Sequence, residues 1–231
     1  MDFWKYLCDA FSKTFIREDR YIMFLEGLGN TLIVTLGATL LGVIIGALIA
    51  IAKTLHKQTG KFKLLNAVCE LYTTIIRGTP VVVQLLIMYF IVFANSTNSI
   101  MVGILGFGIN SGAYVAELMR AGINAVDIGQ TEAGRSLGLS RGVTMRSIVL
   151  PQAIKNVLPA IGNEFISLLK ETSVIGFLGV MDMTRVAQRV ISRTADPYFP
   201  YISIALVYLA MVCVLNYFVK KLEKRLAKSD R

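Results

Sequence analysis

Five long apolar runs limit what this 231-residue chain can fold into. They lie at residues 28–52, 67–93, 100–119, 157–180 and 198–219. About 20 apolar residues suffice to cross a bilayer, so each run is long enough for one span. Since 55% of the chain is hydrophobic and only 17% is charged, little remains for a soluble catalytic domain. The sequence therefore predicts an all-α integral membrane protein with about five transmembrane helices.

Three of these runs carry features that bear on packing. Gly42 and Gly46 in the first run have the small-xxx-small spacing that lets another helix approach closely. Arg77 and Pro80 interrupt the second run, and the proline predicts a kink there. The third run is rich in glycine. We expect it to form a tightly packed interior helix.

The distribution of basic residues predicts the orientation of the chain. The loops 53–63 and 120–146 and the C-terminus together hold fourteen Lys and Arg residues, against seven on the opposite side. Cytoplasmic segments collect such residues, so we expect the N-terminus outside and the C-terminus inside. The net charge of +9 is then a topology signal that also meets membrane lipid, and not a sign of nucleic acid binding.

The division of the chain follows from these patterns. Residues 1–24 form an N-terminal interfacial segment, because Phe3–Ile16 mixes aromatic and charged side chains. Residues 25–225 form a transmembrane domain with a large inside loop at about 120–151, and residues 226–231 form a cytoplasmic tail.

The inside loop carries the strongest motif. The segment Glu132–Gly138 reads E-A-G-R-S-L-G, and I-V-L-P follows nine residues later. This spacing resembles the EAA motif of ABC importer permeases, which marks the coupling helix that docks on a separate ATPase. A short helix from about Thr131, ended by Gly138 in a turn, would suit that role. The one departure is Gly134, which stands where the motif has its second alanine. The resemblance implies that Glu132, Ala133, Gly134 and Gly138 couple the chain to its ATPase.

Further segments narrow the resemblance to the polar amino acid permeases of the histidine, glutamine and arginine uptake type. They are 77–80 with Gln84, 111–117, 129–130, 150–153, 162–165 and 169–173. The resemblance implies the type I ABC importer permease fold in the cytoplasmic membrane of a prokaryote. It also implies a second permease copy or homologue, two cytoplasmic ATPases and an external amino-acid-binding protein. The chain lacks the GxxxxGK[ST] motif, so the partner ATPases would bind ATP and Mg.

Polar residues within the runs are candidates for a substrate site. Glu164, Ser167 and Glu171 have the spacing of one helical face, and ionisable residues inside spans usually face an interior or a cavity. An amino acid is a zwitterion, so its site needs a group of each sign. The candidates from the residues themselves are Arg77, Tyr114, Glu117, Glu164, Ser167, Lys170 and Glu171, and the resemblance adds Thr79 and Gln84.

Alternatives remain open for these residues. The charges could pair with each other to fix helix packing, and Arg77 could satisfy the carbonyls that Pro80 frees. Tyr114 could simply pack between spans.

The function indicated is that of a transport subunit which works by alternating access and is not an enzyme. A secondary transporter driven by an ion gradient would also hold intramembrane charges, but it would not need the docking motif. A membrane enzyme would show a cluster of Asp or His in a span, and none is evident. One histidine, His56, and three scattered cysteines predict no metal site.

Overall fold

The computed structural model describes residues 3–228, and this part consists of helices joined by turns and loops, without a strand. Residues 1, 2 and 229–231, which include the end of the predicted C-terminal tail, lie outside it. The described α-helices are α1 (Phe3–Phe11), α2 (Arg20–Thr59), α3 (Lys63–Gly78), α4 (Val81–Ile87), α5 (Ser99–Asn124), α6 (Ile128–Ser136), α7 (Arg141–Thr144), α8 (Leu150–Glu171), α9 (Met183–Thr194) and α10 (Tyr198–Lys228). Short π-helical turns lie at Ser12–Ile16, Met88–Val92 and Met145–Val149, and 3₁₀ turns at Arg17–Asp19 and Thr172–Leu178.

The first apolar run forms α2, which extends beyond the run at both ends. Its 40 residues span about 60 Å at 1.5 Å per residue. A Cβ atom added at Gly46 would lie 2.6 Å from Val115 Cγ1 of α5, and one at Gly42 would lie 3.0 Å from Ser111 Cβ. The small residues thus let α2 and α5 pack closely, which confirms the interpretation of their spacing.

The second run is broken at its proline, as expected. Helix α3 ends at Gly78 and α4 begins at Val81, and the two are bent by 107°. Between them, Thr79 is extended at φ −122° and ψ 148°, because proline disfavours a helical conformation in the residue before it. Helix α4 then packs beside α5, where Leu85 lies against Gly106.

The glycine-rich third run forms the interior helix α5, as expected. This helix contacts α2, α3, α4 and α8. Its Phe107 is fully buried in the main hydrophobic cluster. The other fully or nearly buried members of this cluster are Val34, Ala38, Leu85, Leu168, Ile175, Leu178 and Val180.

The fourth run forms a helix that ends earlier than its apolar character suggests. Helix α8 stops at Glu171, and a 3₁₀ turn leads to Gly179 at φ +80°. The buried Thr172 hydroxyl donates to Leu169 O at 2.8 Å and lies 3.3 Å from the Thr35 hydroxyl. A polar contact inside the bundle therefore marks the end of α8.

Several helices are suited to crossing a membrane. By length and composition they are the stretch Trp4–Thr59, which contains α2, and the helices Ser99–Asn124 and Tyr198–Ala227, with Lys63–Gly78 and Val81–Val92 as one broken span. Helix α8 has 22 residues and is long enough to cross, although its polar residues make it less apolar. In the described part, length and apolar composition thus identify three spans, or four with the broken one, and α8 as the fifth span stays a prediction.

One end of the bundle is covered by shorter elements, the N-terminal segment and α9, which meet in a shared apolar cluster. The Phe15 ring of the N-terminal segment lies 5.0 Å from the Phe24 ring, so the segment folds against the start of α2. Its placement at a lipid interface stays a prediction. Helix α9 packs its apolar side on α2 and α10, and its N-terminus is capped by the buried Asp182. Burial raises the pKa of the Asp182 carboxyl.

Candidate substrate site and coupling loop

The middle of α5 joins two groups of candidate residues. Asn110 donates a hydrogen bond to Gln84 Oε1 at 2.9 Å. The next residue, Ser111, donates to Glu164 Oε1 at 3.0 Å. Helix α5 therefore holds Gln84 of α4 on one side and Glu164 of α8 on another.

Gln84 satisfies the backbone groups that the helix break leaves free. Its Nε2 donates to Ile76 O at 2.7 Å, to Thr79 O at 3.1 Å and to the Thr79 hydroxyl at 2.7 Å. Gln84 therefore satisfies carbonyls at the Pro80 break, a role that the sequence had suggested for Arg77. Thr79 and Gln84 are engaged with the break and with Asn110.

Glu117 is the centre of an ion cluster. Arg120 donates to its Oε2 from Nε at 3.0 Å and from Nη2 at 2.7 Å. Lys53 Nζ lies 3.4 Å from Oε1, and Arg77 Nη1 lies 3.8 Å from Oε2. The Arg77 guanidinium also stands over the Tyr114 ring, 5.5 Å from its centroid. Three helices, α2, α3 and α5, are thus tied to one carboxylate.

Three residues that contact the candidate site residues were not predicted from the sequence. Arg120 follows Glu117 by three residues, a helical spacing that could have indicated the pair. Asn110 is an amide within a glycine-rich apolar run, which is also a usable signal. Lys53 lies 64 residues from Glu117, and only the packing of α2 on α5 brings them together.

The candidates on α8 have different surroundings. Glu164 is half-buried and bonded to Ser111, Ser167 is partly buried, and Lys170 and Glu171 are exposed. Only Glu164 is therefore held by the bundle. The buried neighbours on the remaining surface of the helix are Ile166, Leu168 and Leu169.

An exposed polar side runs along α8. Asn156, Asn163 and Lys170 follow one another at seven-residue intervals, and all three are exposed in the single subunit. Residues at this interval share a helical face. Helix α8 therefore presents polar groups away from its own subunit.

The coupling loop forms a short exposed helix ended by a glycine. Helix α6 begins at Ile128, three residues before the expected start, and Asp127 caps it by accepting from Gly129 N at 2.6 Å. After Ser136, Gly138 adopts φ +81° and has open space around it, which confirms the expected turn. Ile128 and Leu137 are 74% and 80% exposed. Glu132 and Ala133 are exposed as well.

The departure at Gly134 has a packing reason. Gly134 is buried against the segment that leads into α8. A Cβ atom there would lie 2.7 Å from Thr144 Cγ2 and 3.0 Å from Ile148 Cδ1. Glycine at this position lets α6 pack directly on the segment 141–149.

Comparison with known proteins extends these observations. The model of a family described as "binding-protein-dependent transport system inner membrane component" matches residues 38–228. A putative glutamine transport system permease protein of Rickettsia typhi is 39% identical over 210 residues, which are 90% of this chain and 94% of that protein. An arginine transport system permease protein of Bacillus subtilis is 35% identical, with 89% and 93% covered.

Solved structures of ABC transporters have the same fold as this chain. The crystal structure of an amino acid ABC transporter with histidines superposes with a TM-score of 0.83 at 42% identity, over 89% of this chain and 94% of that chain. The MetNI methionine ABC transporter, in an inward-facing conformation, gives 0.76 at 15% identity, with 90% and 98% covered, and shows the shared fold. The expected all-α permease fold is confirmed, and the family is one of transporters and not of enzymes. The chain therefore belongs to the binding-protein-dependent transport system inner membrane components, the permease subunits of ABC importers.

Proposed function

We propose that this permease moves polar amino acids across the cytoplasmic membrane of a prokaryote by alternating access, driven by separate ATPases. The observation that carries the proposal is the exposed helix α6, which ends at Gly138 and is packed through Gly134 on the segment leading into α8. Relatives named for glutamine and arginine transport support the substrate class.

The coupling path runs from α6 to the middle of the bundle. Two partner ATPases bind ATP and Mg, and each contacts the exposed Ile128, Glu132 and Leu137 side of α6 on its permease. Motion of α6 is passed through Gly134 to Thr144, and then along the π-helical turn Met145–Val149 into α8. Since Glu164 lies on α8, closure of the ATPases moves one wall of the substrate site.

The substrate site lies around α5. Arg77 supplies a cation for the substrate carboxylate, and Glu164 supplies an acceptor for the ammonium. Tyr114 and Glu117 hold Arg77, while Thr79 and Gln84 shape the helix break beside it. Ser167, Lys170 and Glu171 continue the site along α8.

A second permease copy or homologue completes the pathway. The exposed Asn156, Asn163 and Lys170 would be costly against lipid. A second subunit facing this side encloses a polar pathway between the two copies. An external amino-acid-binding protein delivers the substrate to it, with the N-terminus outside and α6 inside, as the charge distribution favours.

One experiment tests the coupling. Gly138→Ala and Gly138→Trp carry the same conformational cost of placing a side chain at φ +81°. Within one subunit, a Cβ atom at this position has no other atom within 4 Å, so the two variants differ in the size of the side chain. We expect Gly138→Trp to lose ATPase association and uptake, while Gly138→Ala keeps most of both. Equal uptake by the two variants would contradict docking at this turn. Uptake by the permease alone, driven by an ion gradient, would instead establish a secondary transporter.

A second experiment tests the substrate site. Glu164→Gln removes the charge and keeps the shape, while Ser111→Ala removes only the hydrogen bond to Glu164. If Glu164 holds the substrate ammonium, Glu164→Gln should lower affinity about tenfold to a hundredfold and Ser111→Ala should lower it much less. Direct binding to the purified complex measures this. Similar small effects in both variants would leave Glu164 a packing residue.

A further inference from the structure

A polar cavity of about 740 Å³ lies between α2, α3 and α5, beside the Glu117 cluster. Its walls are the ends of α2 and α5 and one side of α3. Four cationic side chains line it, and two carboxylates accompany them. The cations are Lys53, Lys57, Arg77 and Arg120, and the carboxylates are Glu70 and Glu117.

The cavity has an excess of positive charge. Four cations against two carboxylates leave a formal charge of +2, with His56 neutral. Glu117 is already shared by three cations. Lys57 Nζ has a weak contact to Asn124 Oδ1 at 3.5 Å. An anion is therefore the ligand that this lining favours.

The opposite side of α3 is apolar. Leu64, Val68, Leu71 and Ile75 follow a helical spacing, and all are exposed. Helix α3 thus turns polar residues to the cavity and an apolar face outward, as expected for a helix that meets acyl chains. A single helix therefore separates the cationic cavity from an apolar exposed face, as expected for a headgroup site at the edge of a bilayer.

The depth of the cavity fits a headgroup. Lys57 is two residues from the end of α2, and Arg120 is four residues from the end of α5. In the orientation proposed above, these helix ends are cytoplasmic. The assignment of the site to the cytoplasmic leaflet rests on that proposed orientation. Basic pockets between helices on this side of a membrane bind anionic headgroups.

We infer that this cavity binds the phosphate group of an anionic phospholipid from the cytoplasmic leaflet. The phosphate lies among Lys53, Lys57 and Arg120, and the acyl chains pass the cytoplasmic start of α3 to reach the bilayer. Free phosphate offers the same group without the chains, so the two sources are distinguishable.

The test measures lipid binding and not transport, so it fails or succeeds independently of the proposed function. The purified permease and ATPase complex in detergent is titrated with phosphatidylglycerol, with phosphatidylcholine or with inorganic phosphate, and retained lipid is counted by native mass spectrometry. Lys57→Gln is compared with Lys61→Gln, which removes the same charge from an exposed residue of the same connection. The double variants Lys53→Gln/Lys57→Gln and Lys61→Gln/Lys63→Gln form a second matched pair.

We expect selective binding of phosphatidylglycerol over phosphatidylcholine. Its affinity should fall about fivefold in Lys57→Gln and about 30-fold in the Lys53 and Lys57 double variant, and much less in the two controls. Equal losses in variants and controls would reduce the effect to general surface attraction and overturn the inference. Competition by inorganic phosphate alone, with no preference between the two lipids, would overturn the lipid as occupant.

Discussion

Replacing Gly134 by alanine restores the second alanine of the E-A-A pattern, and we expect it to weaken the coupling loop. The added Cβ atom would lie 2.7 Å from Thr144 Cγ2, a distance that requires movement. Ile148 Cδ1 is the end of a flexible side chain and can shift. Thr144 cannot shift easily, because it is 1% exposed and its hydroxyl donates to Ser140 O at 3.0 Å.

The size of the effect follows from two opposing contributions. Exchanging glycine for alanine inside a helix stabilises it by about 1 kcal/mol. Overpacking a buried contact costs about 1–3 kcal/mol. The difference is a loss of about 1 kcal/mol in the free energy that holds α6 on the segment 141–149. Because about 1.4 kcal/mol corresponds to a factor of ten, the equilibrium constant for local opening of α6 should rise about fivefold.

Hydrogen exchange of the α6 amides in the purified complex measures this local opening. Thr144→Ser is the matched second change, since it removes Cγ2 and keeps the hydroxyl. In the Thr144→Ser background, Gly134→Ala should no longer raise exchange, so a double-mutant cycle should give a coupling of about 1–2 kcal/mol. Slower exchange in Gly134→Ala alone, or a coupling near zero, would refute the packing explanation for the glycine.

Three other predictions follow from single contacts. Gly46→Ala should lower the free energy of unfolding of the complex by about 1–3 kcal/mol, measured by thermal unfolding, because its Cβ would lie 2.6 Å from Val115 Cγ1. Gly29→Ala should not lower it, because a Cβ at Gly29 would have no other atom within 4 Å. Gln84→Glu should cost about 1–3 kcal/mol, measured by thermal unfolding, because three acceptors at the helix break lose their donor. Asp182→Ala should cost about 0.5–2 kcal/mol through the lost cap. Because the pKa of Asp182 is raised in the folded state, its contribution to stability falls as pH rises through that pKa, and Asp182→Asn should flatten this dependence.

Each of these has a contrary result. Equal stability of the two glycine variants would show that α2 and α5 can separate slightly without loss. An unchanged free energy of unfolding in Gln84→Glu would mean that water or another donor satisfies the acceptors at the helix break. A pH dependence that persists in Asp182→Asn would assign it to another group.

Features that depend on local sequence were predictable. The break at Pro80 follows from the missing N–H, and the turn at Gly138 from the freedom of glycine to take a positive φ. The apolar runs set the fold class, because a bilayer requires spans of that length. The spacing of Gly42 and Gly46 indicated a close helix contact, although it did not indicate which helix.

The remaining features required the tertiary structure, because they depend on which helices pack together. Glu164 meets Ser111 across 53 residues, and Lys53 meets Glu117 across 64. Nothing near any of these residues in the chain specifies the pairing. Helix α8 ends at Glu171 where the buried Thr172 hydroxyl is bonded, a contact that apolar character alone does not reveal. The presence of glycine at position 134 is likewise explained by tertiary packing, which places Thr144 against it, and not by helix propensity.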